Sequence, residues 1–279
     1  MSALGNSAMN SGPPSTANGS VDLDFDLRLY MTDIPSIFEE TMRVPSYFVD
    51  EDARMTVSSL FGLLTEISNR HASCLNAGWH QLRERGYFWV ITRMRMEISR
   101  LPEWIEQITL RTWVRESQAA TSPRDYELLD TNDNLLVAAS SVWAILDIAT
   151  GRPQRMSAFD ANFPTQKRCA TERTPQKISA INMQETNPSP LWVQASDIDM
   201  NHHVNNAHYI QWAFDSVDRD FRTTHRIANV TVNFMSQAKL GDSYTIRSEA
   251  DSDNLFRTAI VSANEPKEFC RLQTEWQTT

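Results

Sequence analysis

Between residues 196 and 212 the chain reads SDIDMNHHVNNAHYIQW, and three of its side chains could do chemistry together. Asp199, Asn201 and His203 recur at i, i+2 and i+4, so an extended or turning backbone brings all three toward one side. A carboxylate, an amide and an imidazole then supply a base, a positioning group and a proton donor. Attack of water on an activated carbonyl needs those parts. Taken alone, an Asp-x-Asn pair before a helix also serves as a turn or cap. Asn205 and Asn206 fit that structural role. His202, His203 and His208 lack the spacing of a zinc site, so no metal or other cofactor is expected.

Those groups need elements to hold them. Ahead of the cluster LWVQAS is strand-like, and behind it residues 206–221 have the apolar spacing of a helix. NVTVNF, SYTIRSEA, LFRTAIVSA and EFCRLQTEWQ then alternate with a period of two, which predicts strands. The same order stands earlier in the chain. Residues 39–48 read as a strand, and Leu60, Leu63, Leu64 and Ile67 predict a helix over 56–72, which the region of Gly78 ends. WVITRMRMEIS, QITLRTWVRES, PRDYELLDTND and LLVAASSVWAILDI follow as strands, the last two joined at Asn132, Asp133 and Asn134 as a hairpin. Each helix precedes a run of strands, so the class is α+β, with an antiparallel sheet wrapped around each long helix.

The two runs read as a duplication. Placing Tyr209 over Phe61, an offset of 148, sets Asp199 on Glu51, Asn201 on Ala53, His203 on Met55 and Asn206 on Ser58. On that register the first half keeps the scaffold and lacks the polar set, which implies one active site per chain. The expected organisation is a disordered tail over 1–30, a first unit over 31–160, a polar linker over 161–188 and a chemistry-bearing unit over 189–279.

At 279 residues and 41% hydrophobic content the chain has material for a real core, which excludes wholesale disorder. No apolar run reaches the roughly 18 residues that a membrane-spanning helix needs. The first basic residue is Arg28, and the preceding Ser, Asn, Gly and Pro have the character of neither a secretory signal nor a transit peptide; a cytoplasmic protein is expected. The three widely spaced cysteines, Cys74, Cys169 and Cys270, read as buried thiols rather than a disulfide framework. A net charge of −9 disfavours nucleic acid and anionic membrane as partners. Within 70–115, however, eight arginines stand against four glutamates. Arg83, Arg85, Arg93 and Arg95 are candidates there for docking an acidic, phosphate-bearing partner, beside the plainer reading of a solvated sheet face.

Over most of residues 38–278 the chain resembles the acyl-acyl carrier protein thioesterases of plants and bacteria. DIDMNHHVNNAHYIQW is closely similar to that family's block Asp-Leu-Asp-x-Asn-x-His-Val-Asn-Asn-x-x-Tyr-Ile-x-Trp. Gly86-Tyr87-Phe88-Trp89-Val90 running into Arg93 and Glu97 is similar to its first-domain strand entry, and Val232-Asn233-Phe234 running to Gly241-Asp242 to a pattern of hotdog thioesterases. The resemblance implies two tandem hotdog domains that hydrolyse fatty acyl thioesters carried on acyl carrier protein. It implies Asp199, Asn201 and His203 as the catalytic set. It also implies an acidic residue on the following strand, where this chain has Gln237.

Glutamine holds a water but accepts no proton as a base, so the base work falls to Asp199. Backbone N–H groups at the helix start after Val204 would hold the oxyanion. Glu66, midway along the first helix, is a second candidate base or a surface glutamate. Trp89, Met94 and Met96 are candidates for the acyl pocket, with Trp79, Trp104 and Trp113 either beside them or in core packing. A coenzyme A thioesterase would share this chemistry, a hotdog dehydratase would carry a different motif, and Gln237 leaves a non-catalytic acyl-binding protein as a further reading. The tandem chain is expected as a monomer or homodimer.

Overall fold

The computed structural model describes residues 34–159, 163–181 and 189–279. The tail expected over 1–30 and part of the expected linker lie outside the described residues. The first half contains β1 (Phe38–Arg43), α1 (Val57–Cys74), α2 (Trp79–Glu84), β2 (Tyr87–Ile98), β3 (Gln107–Val114), β4 (Ser122–Leu129) and β5 (Leu135–Asp147). The second contains β6 (Leu191–Trp192), α3 (Asn206–Asp215), α4 (Arg219–Thr224), β7 (His225–Phe234), β8 (Ser243–Ser252), β9 (Leu255–Ser262) and β10 (Glu268–Thr278).

These strands form one sheet in the order β1-β3-β4-β5-β2-β7-β10-β9-β8-β6. Outward from its middle, β2-β5-β4-β3-β1 on one side matches β7-β10-β9-β8-β6 on the other, so the halves share one topology. They join where β2 pairs with β7, from Arg93 against Asn233 to Glu97 against Asn229. The same alternation that predicts the strands sends Met94, Met96, Val230 and Val232 to the helix side, where one continuous core takes in both halves.

Local chemistry accounts for the helices. The Thr56 side chain accepts from Ser59 N and starts α1, whose Leu60, Phe61, Leu64 and Ile67 make a buried stripe. Burying each of those side chains contributes roughly 2 kcal/mol before entropy is counted. α1 and α3 pack together, with Ser58 Oγ donating to Gln211 Oε1 at 2.5 Å. The helix expected over 206–221 is broken, because Asp218 caps a new one, its side chain accepting from Phe221 N. The strand expected over 39–48 stops at Arg43, since Pro45 leads into a 3-10 turn at Ser46–Phe48. The predicted LWVQAS strand likewise pairs only over Leu191–Trp192 before a 3-10 turn at Ala195–Asp197.

The short α2 has no sequence forecast. A Cβ at Gly78 would lie 2.3 Å from Ser73 Oγ and 2.9 Å from Ser73 Cα, so only glycine lets the chain double back against the end of α1. The connector between the halves is bonded to the sheet's outer side. Asn233 Oδ1 accepts from Ile178 N at 2.9 Å, Asn233 Nδ2 donates to Gln176 O at 3.0 Å, and Arg271 Nη1 donates to Ile178 O at 2.6 Å.

Candidate active site

A held turn carries the polar cluster. Asp199 Oδ1 accepts from Asn201 N at 2.8 Å and His203 N at 3.4 Å, and Asp199 N donates to His203 O at 2.8 Å. His202 takes the left-handed conformation, with φ 63°, which a non-glycine residue adopts only where local bonds repay it. Behind the turn, Val204 N donates to Ala238 O at 3.0 Å, and Ala238 N donates to the Tyr209 hydroxyl at 2.9 Å. Turn, helix and the segment after β7 are thereby fixed to one another. Asn205 caps α3, its side chain accepting from Ala207 N.

The first half contains the same turn. Asp50 Oδ1 accepts from Asp52 N and Arg54 N, Asp50 N donates to Arg54 O, and Ala53 has φ 58°. The bridges Val49 to Met55 and Ile198 to Val204, and the caps Thr56 and Asn205, are all 149 residues apart. The offset of 148 is therefore short by one. Leu60, Phe61, Tyr209 and Ile210 are all buried, so the apolar stripe fits either register, whereas cap and turn fit one. Asp199 corresponds to Asp50, Asn201 to Asp52 and His203 to Arg54. The first half keeps the aspartate and lacks the amide and imidazole.

A cleft of about 1380 Å³ opens beside the second turn. Asp199, Asn201 and His203 line it together with the first turn of α3 and the segment from Phe234 to Gln237. It runs into the first half along α1, past Trp79, the start of β2 and Trp143. A further cavity of about 20 Å³, room for one water-sized group, shares Asn69, Trp89 and Trp143 with the cleft and reaches Arg124. The buried Arg124 donates to His71 Nδ1 at 3.0 Å, which requires a neutral imidazole. Burial first, then the Arg124 charge, pushes His71 down to about 3.

His203 is shifted in the same direction. Burial depresses its pKa, with Lys239 and His202 adding to the effect and Asp199 opposing it. At neutral pH the ring is thus uncharged. Its buried Nδ1 makes no hydrogen bond among the described residues. Asn201 Oδ1 accepts from the Trp79 indole N–H at 2.9 Å. Gln237 is an exposed residue on the cleft wall, and its backbone O accepts from Lys267 Nζ at 3.1 Å.

The remaining forecasts separate. Trp89 lines the cleft, but Met94 and Met96 are fully buried in the core, because β2 turns them to the helix side beyond the cleft. Trp79 is on the cleft, whereas Trp104 is 51% exposed and Trp113 is buried beneath the Arg168 guanidinium. Glu66 lines the cleft in an ion pair with Arg70 at 2.9 Å. Arg83 and Arg85 are exposed and lie over the rings of Trp79 and Phe159. Arg93 and Arg95 belong elsewhere, on the strand that joins the halves, where Arg95 is tied to Glu97 and Asn229. Cys74 and Cys270 are buried, but Cys169 is exposed because it lies in the connector. Trp143 is a cleft residue with no sequence forecast, because strand alternation gives its strand and not the Trp89 ring that faces it.

Family models describing the acyl-ACP thioesterase N-terminal and C-terminal domains match residues 35–158 and 181–278. The chain belongs to the acyl-ACP thioesterase family. Over 92% of its length it is 26% identical to the chloroplastic oleoyl-acyl carrier protein thioesterase 1 of Arabidopsis thaliana, of which it covers 77%. A chloroplastic oleoyl-acyl carrier protein thioesterase of Coriandrum sativum is 26% identical over 81% of the chain and 66% of its own length. Among solved structures, an acyl-ACP thioesterase from Bacteroides thetaiotaomicron superposes with a TM-score of 0.80 at 25% identity, over 87% of this chain and 98% of that one. The 12:0-ACP thioesterase from Umbellularia californica shares the fold, with a TM-score of 0.78 at 19% identity over 88% and 98% of the two chains. The tandem hotdog, α+β architecture of this acyl-ACP thioesterase family member is thus established. Among the described residues no helix is long and apolar enough to cross a membrane.

Proposed function

We propose that the protein hydrolyses fatty acyl thioesters of acyl carrier protein to free fatty acid and the carrier thiol. The observation that carries this reading is the placement of Asp199, Asn201 and His203 on one wall of a cleft that continues into the first half. Asp199 spends Oδ1 on the turn, and Oδ2 receives the proton of the attacking water. The new C–O bond forms as the C–S bond breaks, and the departing sulfur takes the proton. Asn201 and the neutral His203 donate hydrogen bonds as charge develops on the carbonyl oxygen, with the first turn of α3 adding its dipole. Gln237 holds the water. The acyl chain extends past Trp89 toward Trp143.

The proposed units are 31–160 and 189–279, with residues 161–188 linking them. Arg83 and Arg85 are the proposed contacts for the acidic carrier, and the proposed setting is the cytoplasm, with the chain as monomer or homodimer. Hydrolysis of a panel of acyl-carrier thioesters from short to long chain, set against the matched coenzyme A thioesters, tests the reading. Higher kcat/KM on the carrier substrates is expected. Preference for coenzyme A would replace the carrier by the smaller thiol, and tight binding without release of acid would make this an acyl-binding protein.

A further inference from the structure

Trp79 and Asn201 lie 122 residues apart in the chain, in different halves, and meet at the cleft through a hydrogen bond of 2.9 Å. An indole N–H only donates, so the amide atom facing it is the oxygen. The contact therefore decides which way the amide is turned, a choice that an isolated asparagine leaves open. With Oδ1 held by Trp79 and the backbone N of Asn201 held by Asp199 Oδ1, the two donors of Nδ2 remain for the cleft.

Trp79 is itself held. It is the first residue of α2, directly after Gly78, whose missing Cβ lets the chain close against Ser73. The Arg83 guanidinium lies 5.0 Å from the centre of its ring, and the His80 ring meets it edge to face at 4.8 Å. In the first-half copy of the turn, position 52 is an exposed aspartate, which has no donor to orient. The indole contact accompanies the copy of the turn that carries the amide.

We propose that Trp79 is a positioning residue that acts through Asn201, turning its amide so that Nδ2 donates to the thioester carbonyl oxygen or the attacking water. This inference rests on the hydrolase reading of the site. Under it, specificity of the reaction geometry comes from the first half while the reacting groups come from the second, so the site is complete only when both halves are packed.

Trp79→Phe keeps an aromatic ring on the cleft and removes the N–H. It should lower kcat about tenfold, the worth of one well-placed hydrogen bond, with KM within about twofold because the apolar wall survives. In an Asn201→Ala background, which has no amide to turn, the same substitution should change kcat less than about twofold. An equal loss in both backgrounds, or a rise in KM alone, overturns the proposal. An independent reading needs no turnover. The indole proton resonance of Trp79, assigned by its loss in Trp79→Phe, should move upfield and exchange faster with solvent in Asn201→Ala; an unmoved resonance overturns the proposal too. Absence of thioester hydrolysis by the parent, with the resonance still moving in Asn201→Ala, sinks the hydrolase reading and leaves the contact standing.

Discussion

Asp50 and Asp199 occupy the same point of two copies of one turn, each accepting two backbone N–H groups through Oδ1, yet only Asp199 lines the cleft. The aspartate thus has a mechanical duty in both halves, and the chemical duty proposed above falls to Asp199 alone.

The two duties can be separated at Asp199. Asparagine keeps the acceptor oxygen and loses the base. Asp199→Asn should melt within a few degrees of the parent while kcat falls at least about 100-fold. Asp199→Ala should show the same loss and also be destabilised by about 1 kcal/mol. Thermal melts paired with thioester hydrolysis check both, and full turnover by Asp199→Asn would remove Asp199 from the chemistry.

Asp50→Ala should do the opposite, costing about 1 kcal/mol of stability with kcat within about twofold of the parent. Abolished turnover with an unchanged melting temperature would give the first-half turn a chemical role and end the one-site reading.

Trp89 and Trp143 meet edge to face at 6.4 Å where the cleft reaches the small cavity above Arg124. Trp143→Ala opens that floor and should shift preference toward longer acyl chains, read as the distribution of released acids. An unchanged distribution would mean that the acyl chain ends elsewhere.

His71 should make the fold acid-sensitive. In the folded chain it stays neutral down to about 3, whereas in the unfolded chain it takes a proton below about pH 6.5. Between those values the unfolded state binds more protons, so stability is present above about pH 6.5 and is lost as pH falls toward 3, by on the order of 4 kcal/mol. His71→Asn retains an acceptor for Arg124 and removes the titration. Its denaturation free energy should depend less steeply on pH from 6.5 to 3.5; parallel curves for variant and parent would contradict the assignment.

Much of the fold was legible because its causes are local. Leu60, Leu64 and Ile67 at helical spacing announce α1, and period-two alternation announces the long strands. Pattern and structure part where one side chain overrules the pattern: Asp218 restarts a helix, Pro45 ends a strand, and Gly78 folds a short helix back on its neighbour. The apolar stripe fits the repeat at either 148 or 149, because adjacent positions are buried in both helices, and only the turn and cap select 149. Met94 and Met96 belong to a strand that alternation predicts, but how far the cleft extends along that strand is a property of the packed helices.

By itself the sequence determined the α+β class, the doubled order of elements and the Asp199, Asn201 and His203 cluster, because each depends on residues within a turn or a strand's length of one another. The tertiary structure alone decided that Trp79 meets Asn201, that Trp89 faces Trp143, that the cleft leaves the second half for the first, and that Asp50 repeats the turn without lining that cleft. Those relationships join positions with no shared period. Only packing of the two halves against one sheet and one core brings them within contact distance.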